Sequence, residues 1–407
     1  MLKKNDTIEL EIVDITNDGE GIGKQDGFVW FIKDAIPGDV IEASVMKLKK
    51  NYGYARLVKV ITPSSNRVKP RCPKARACGG CTLQNMSYEA QLEFKRAKVE
   101  NNLNRIGGFA GIGVKPAIGM DDPWRYRNKA IVPVGKDKNG RIIAGFYAAH
   151  SHDIIECEDC YLQPEEFKDI IRQNKSSNMT HMLLRKGFKT DQIMAYGVEN
   201  YDNNAVLSGK LTHLYGSEVI EDYIGDLRFI ISPRSFFQVN PAQVEKLYGK
   251  AVEFANLTGN EIVWDLYCGT GTITLSLARH ALRVYGVEIV EDAIRDAEEN
   301  AKLNGIENAK FFVGKAEEVT LRDDFEKPDV VVVDPPRKGC DSVCIDTIIR
   351  MSPERIVYVS CDSATLARDL KILCSNGYEL REVQPFDLFP QTVHVETVVL
   401  MSRVGSK

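Results

Sequence analysis

Long hydrophobic runs are missing: no stretch of the 407 residues approaches the ~18 uninterrupted apolar positions of a membrane-spanning helix. The opening Met1-Leu2-Lys3-Lys4-Asn5-Asp6 also lacks the apolar run of a secretory leader, so a cytoplasmic protein is expected. Gly 31 and Pro 16 show no collagen-like or low-complexity bias, and 43% hydrophobic with 27% charged residues excludes wholesale disorder. A net charge of only −4 argues, on average, against a nucleic-acid binder. One region, however, lacks acid altogether. Between Ala43 and Tyr88 stand ten Lys and Arg and no Asp or Glu, a local field suited to a phosphate backbone. A shorter run of this kind would read as a solvated loop, but this asymmetry favours contact with nucleic acid.

At roughly 100–200 residues per domain the length allows two to four domains. Over residues 1–62 short alternating runs such as Thr7 to Val13, Phe28 to Ile32 and Tyr52 to Ile61 are separated by turn signals at Asn17-Asp18-Gly19 and Pro37-Gly38-Asp39. That pattern predicts a small all-β, OB-like barrel, and it resembles the TRAM domain, an RNA-binding attachment. Pro63-Ser64-Ser65-Asn66 marks a boundary, after which residues 63–235 give mixed α/β signals. A helix is expected over 88–106 on the spacing of Leu92, Val99, Leu103 and Ile106, placed to pack on the C-terminal part. Residues 236–407 alternate strand and helix as in an open parallel sheet, where ligands bind beyond the carboxyl ends of the strands.

The suspicious residues lie at those ends. Asp265-Leu266-Tyr267-Cys268-Gly269-Thr270-Gly271-Thr272 is a glycine-rich turn, and Glu288 ends the next strand with a carboxylate able to accept two ribose hydroxyls. The third glycine of a dinucleotide fingerprint is missing, so S-adenosylmethionine, a nucleoside without phosphate, fits better than a nicotinamide. Asp334-Pro335-Pro336-Arg337 makes a rigid lip beside the crevice. Cys361 sits between a strand and a helix, where the helix N-terminus is expected to lower its pKa. Glu396, flanked by Val395 and Val398-Val399-Leu400, is expected to be desolvated and raised toward a useful base. Trp124-Arg125-Tyr126-Arg127-Asn128-Lys129 interleaves aromatics with cations and reads equally as an RNA-stacking strand or as a solvated surface strand.

Cysteines are few and uneven. Cys72, Cys78 and Cys81 form a C-x5-C-x2-C group, and Cys157 or Cys160 could supply a fourth thiolate. Zinc sites normally pair two short knuckles, and only one short pair is adjacent here.

Taken with Ser235-Phe236-Phe237-Gln238-Val239-Asn240 and His394-Val395-Glu396, these runs, in this order, resemble the RNA uracil-5-methyltransferase family over nearly the whole chain. The resemblance implies three parts: an OB-like barrel, an α/β central domain with an iron–sulfur cluster, and a Rossmann-like class I methyltransferase domain. It implies Gln238, Tyr267, Glu288 and Asp334 at S-adenosylmethionine, Cys361 as nucleophile and Glu396 as base. Thr272 stands where some relatives carry Asn and is left out of the site. Some relatives bind a [4Fe–4S] cluster on this cysteine pattern, with the fourth ligand just before a Leu-Gln or Ile-Gln pair, which selects Cys160, with Cys157 the alternative. A radical mechanism is disfavoured because the C-x3-C-x2-C triad is missing. The expected substrate is a uridine of 23S ribosomal RNA, because members with barrel and cluster mostly act there. Transfer RNA, or RNA binding without catalysis, are the alternatives. No membrane and no obligate protein partner is implied.

Overall fold

The computed structural model describes residues 2–25, 27–149, 151–201, 209–319 and 326–405. Strands β1 (Thr7–Ile15), β2 (Gly21–Gln25), β3 (Phe28–Lys33), β4 (Val40–Leu48) and β5 (Tyr52–Thr62) close into a barrel in the order β1-β2-β3-β5-β4. Alternation fills it: Leu10, Ile12, Trp30, Ile32, Ile41, Ala43, Ala55 and Leu57 point inward. β2 was not legible, because Gly21-Ile22-Gly23 reads as a turn. Its glycines are required by close approach: a Cβ at Gly23 would stand 2.1 Å from Leu10 Cδ1 and one at Gly21 2.7 Å from the Ala35 carbonyl.

An irregular segment with three cysteines leads to helix α1 (Tyr88–Asn102), capped by the Ser87 hydroxyl on the Ala90 amide and prolonged by a wider turn over Leu103–Gly107. The expected apolar stripe is corrected here. Leu92 is half-buried and Ile106 is exposed, whereas α1 buries Gln91, Lys95, Val99 and Asn102, a polar stripe that survives burial because each polar member finds a partner. Val99 and Leu103 join a core of the C-terminal part.

The central sheet runs β11-β10-β9-β6-β7-β8, all antiparallel, from β6 (Lys129–Lys136), β7 (Ile142–Tyr147), β8 (Ile154–Glu156), β9 (His181–Lys186), β10 (Ile193–Glu199) and β11 (Lys210–Gly216). Helix α2 (Glu166–Asn174) covers one face through Phe167, Ile170 and Ile171. The hairpin β12 (Ile220–Ile224) and β13 (Leu227–Ile231) and helix α3 (Pro241–Ala255) share a core with the C-terminal sheet.

That sheet contains β14 (Ile262–Leu266), β15 (Arg283–Glu288), β16 (Ala309–Val313), β17 (Val330–Val333), β18 (Arg355–Ser360), β19 (Tyr378–Phe386) and β20 (Glu396–Arg403), in the order β16-β15-β14-β17-β18-β20-β19. The first five are parallel, and β20 is inserted antiparallel to both neighbours. Helices α4 (Thr272–Ala278), α5 (Glu291–Leu303), α6 (Ala316–Val319), α7 (Ser342–Met351) and α8 (Ser363–Ser375) cover its two faces. The four residues of β17 are all valine and all buried, as a parallel strand covered on both sides should be.

Strand alternation decides what shares a face. Val263, Val332, Val359 and Val398 pack under α3 and α4, while Trp264, Val333, Tyr358 and Val399 pack against α1, α7 and α8. Extending the period of two places Asp265, Asp334, Cys361 and Glu396 together on the α3 side, at the carboxyl edge where strand order reverses.

Candidate active site

The turn after β14 holds three residues in the left-handed region, Tyr267 (φ 77°), Gly269 (φ 53°) and Gly271 (φ 81°). Asp265, one residue before the end of the strand, is fully buried; Thr274 donates to its Oδ2 at 2.6 Å, and its Oδ1 has no partner among the described residues. Burial pushes its carboxyl up to about 7, with Asp334 and Glu288 adding repulsion. Glu288 accepts from the amides of Gly269 (3.3 Å) and Val290 (3.0 Å), which fixes the carboxylate at the mouth of the turn. The ring of Tyr267 leans on Cys344 in the opposite layer, so what this residue offers the crevice directly is its left-handed backbone.

Gln238 is held by its own carbonyl, which accepts from Asn128 Nδ2 at 2.9 Å. Its side chain reaches the hydroxyl of Tyr248, which also bonds Thr272 Oγ1 at 3.0 Å. Tyr248, on α3, thus links Gln238 to Thr272 in the neighbourhood of Asp265 and Asp334, and nothing in the sequence distinguished it from other helix aromatics. On the same helix Gln243 is fully buried, and neither atom of its side-chain amide has a partner among the described residues.

Cys361 and Glu396 are brought together by the antiparallel pair β18 and β20. Ser360 pairs with Thr397, so continuing the register sets Cys361 opposite Glu396. Glu396 is buried, and burial, then the neighbouring Asp334 carboxylate, push it up to about 8, with the Arg337 guanidinium pulling the other way. Asp334 is itself raised to about 6 by burial. The expected depression of the Cys361 pKa is corrected: burial first, then Glu396 and Asp334, push this thiol up to about 12. The helix N-terminus does not offset this, because Asp362 spends the first amides of α8 on its own carboxylate, at 2.9 Å from Ala364 N and 3.0 Å from Thr365 N. His394, two residues before the base, is held down to about 4 by burial and by Arg337, Lys98, Lys95 and Arg127, and stays neutral.

A thiol and a desolvated carboxyl thus stand side by side, next to an acidic crevice at the carboxyl edge of the sheet. Comparison with known proteins gives the family. Residues 224–404 match the tRNA (Uracil-5-)-methyltransferase family model and residues 2–58 the TRAM domain model. An uncharacterized RNA methyltransferase of Halalkalibacterium halodurans is 45% identical, with 98% of each chain covered, and one of Clostridium tetani is 43% identical, covering 100% of this chain and 98% of that one. The chain belongs to the RNA uracil-5-methyltransferase family. Among solved structures, the Pyrococcus abyssi tRNA (uracil-54, C5)-methyltransferase in complex with S-adenosyl-L-homocysteine matches at a TM-score of 0.76 and 28% identity, over 97% of this chain and 100% of that one. The protein is an S-adenosylmethionine-dependent RNA methyltransferase of the uracil-5 type with a TRAM barrel.

In this methyltransferase Cys72, Cys78, Cys81, Cys157 and Cys160 line one cavity of about 430 Å³, together with Arg127 and Lys129. Among the described residues no group of three His, Cys, Asp or Glu converges as the ligands of a single metal ion; these thiols stand around a space instead. All six pairs among Cys72, Cys78, Cys81 and Cys160 are close enough to repel as thiolates. Cys157 faces three of them and donates its thiol to the Asp159 carbonyl at 3.4 Å.

The Trp124 to Lys129 segment is tied into the protein rather than lying as a free solvated strand. Arg125 binds Asp159 and the carbonyls of Cys160 and Gln163, Tyr126 donates to the Pro390 carbonyl from a buried position, and Arg71 stacks on Trp124 and Tyr161. The barrel of this methyltransferase carries an aromatic cluster that includes the exposed Tyr52. Phe31, Tyr52 and Tyr54 form a cluster with ring centroids 5.6–5.9 Å apart on its outer surface, beside Lys33, Lys47 and Arg56.

Proposed function

We propose that the enzyme methylates C5 of a uridine in 23S ribosomal RNA, with Cys361 as nucleophile and Glu396 as base. The observation that carries this reading is the juxtaposition of Cys361 and Glu396 across β18 and β20, next to Asp334. S-adenosylmethionine supplies an electrophilic methyl on a sulfonium cation. The crevice suits it: three carboxyl groups, Asp265, Glu288 and Asp334, one with an unpartnered buried oxygen, face the space beyond the strand ends. Phe236 and Ile289, each 66% exposed beside Gln238 and Glu288, offer apolar surface to a flat base.

The chemistry then belongs to two side chains. C5 of uracil is a poor nucleophile, so Cys361 Sγ gives its proton to solvent water and adds as a thiolate to C6, and the C5=C6 electrons pass into an enolate. C5 takes the methyl group from the sulfonium. Glu396 removes the proton left on C5, the C5=C6 bond re-forms, and the C6–S bond breaks to return Cys361. A cationic ligand in the crevice lowers the Cys361 pKa by opposite charge, which reconciles a resting thiol with this role. The target base must leave its stack to reach Sγ.

Cys72, Cys78, Cys81 and Cys160 would hold a [4Fe–4S] cluster. In support of this set, its thiols surround one cavity and all lie near one another, whereas Cys157 spends its proton on a backbone carbonyl. Arg127 and Lys129 at the same wall would balance an anionic cluster. Such a cluster would tie the segment after the barrel to the central sheet.

Transfer RNA is the second reading. The Pyrococcus abyssi protein that aligns over 97% of this chain is described as a tRNA (uracil-54, C5)-methyltransferase, and that likeness is what favours this reading. The test is tritium release from 23S ribosomal RNA and transfer RNA labelled at C5 of uracil. Release from ribosomal RNA alone supports the first reading, and release from transfer RNA alone replaces it. Glu396→Gln should trap a denaturation-resistant RNA adduct, Cys361→Ala should bind RNA without any adduct, and normal turnover by either variant would remove the mechanism.

A further inference from the structure

The strap between β19 and β20, residues 387–395, ends at Glu396 and carries a strained residue. Gln391 has φ 71° and is 3% exposed; this left-handed backbone is unfavourable for any residue with a Cβ, and a glycine would adopt it freely. Strain kept at such a place calls for a reason. The side chain supplies one. Gln91 Nε2 donates to Gln391 Oε1 at 3.1 Å, and the Gln391 backbone amide donates to Gln91 Oε1 at 3.0 Å, so the two residues are locked reciprocally across 300 positions of sequence.

The lock has supports on both sides. Gln91 Nε2 also reaches the carbonyls of Leu83 and Met86, at 3.1 and 2.9 Å. The Gln391 carbonyl accepts from Thr82 N at 3.0 Å and Leu83 N at 3.1 Å. One and two turns further along α1, Lys95 forms a buried ion pair with Asp387 and Lys98 donates to the Val393 carbonyl at 3.0 Å. Of the polar stripe of α1, Gln91 and Lys95 are thus matched to the strap, while Asn102 Nδ2 donates to Ser363 Oγ at 2.8 Å instead.

We infer that the Gln91–Gln391 amide pair is a positioning device for the base: it sets the reversal that delivers Glu396 to the face shared with Cys361, and it serves proton removal from C5 rather than thiol addition. The inference rests on Glu396 acting as the base. Cys361 is delivered by the end of β18 and the cap of α8, outside the strap, so weakening the strap should separate the two half-reactions.

The experiment is a single turnover of the full-length enzyme on saturating RNA labelled with tritium at C5, reading formation of the covalent adduct and release of tritium separately. Gln91→Met should form the adduct within about twofold of the parent rate and release tritium at least about tenfold more slowly, so that adduct accumulates. Gln391→Gly keeps the left-handed turn and the carbonyl acceptor while losing the side chain, and should show the same split even if Gln91→Met fails to fold. Equal slowing of both steps, or of neither, in Gln391→Gly overturns the inference. Glu396→Gln, run alongside, must trap adduct; if it does not, the assignment of the base fails, an outcome distinct from an intact base whose release rate ignores the strap.

Discussion

Proton removal by Glu396 should carry its own pH signature. With the carboxyl pushed up to about 8, roughly 1% is ionised at pH 6, about 10% at pH 7, about 50% at pH 8 and about 90% at pH 9. Only the ionised form can accept the C5 proton, so tritium release from the preformed adduct should rise nearly tenfold per pH unit up to the midpoint and then flatten. Arg337 favours the carboxylate. Removing its charge in Arg337→Gln should move the midpoint upward by roughly one unit, within the range expected of a nearby opposite charge. The variant should therefore release about tenfold more slowly at pH 7, about twofold more slowly at pH 9, and match the parent only from about pH 10. Rapid-quench measurement on saturating RNA, with the adduct formed first, isolates this step from binding. A profile flat between pH 6 and 9, or a midpoint moved to lower pH by Arg337→Gln, would refute the reasoning.

Other outcomes follow from the same structure. Cys361, a thiol pushed up to about 12, should be alkylated slowly by iodoacetamide at pH 8, and S-adenosylmethionine should accelerate the reaction where the neutral S-adenosylhomocysteine does not; mass spectrometry of the modified peptide decides. The proposed cluster should give the purified enzyme a broad visible–ultraviolet absorbance that Cys160→Ser abolishes and Cys157→Ser retains; the reverse pattern would exchange the two ligands, and a colourless parent would remove the cluster. Replacing Tyr52 and Tyr54 together by Ala should weaken RNA binding at least tenfold, on stacking worth ~1–3 kcal/mol per base, with little change in turnover on saturating RNA; unchanged affinity by filter binding would move the RNA off this face. Asp265, Asp334 and Glu396 all have pKa values raised in the folded state, so the fold holds protons that the unfolded chain has lost, and stability should fall as pH rises from about 4 through 8. The Tm measured across that range should decline, and less steeply in Glu396→Gln.

Much of this was legible from residue order. The β/α alternation after residue 260 announces a parallel sheet, and a strand period of two suffices to put Asp334 and Cys361 on one face. The barrel could be read except for β2, whose glycines look like a turn until the contacts of Leu10 and Ala35 are known. What escaped is whatever depends on distant partners. Lys95 and Gln91 resemble solvent-facing helix residues until Asp387 and Gln391 arrive from nearly 300 positions away. Tyr248 gains its place through Gln238 and Thr272. The acidity of Cys361 was misjudged because a local rule about helix ends was outweighed by desolvation and by Asp362, which keeps the amides for itself.

The insertion of α1 into the C-terminal core has a consequence for how the chain is made. Val99 and Leu103 bury against strands and helices that end near residue 401, so during synthesis this helix emerges long before its partners exist. The barrel can close as soon as β5 leaves the ribosome, but the catalytic half cannot seal its core until the last strand is delivered. Waiting surface of this kind is exposed to aggregation, and a fragment cut at residue 236 would lack it permanently. Segments some 300 positions apart are thus stitched together, and β20 completes that core and brings in Glu396 at the same time.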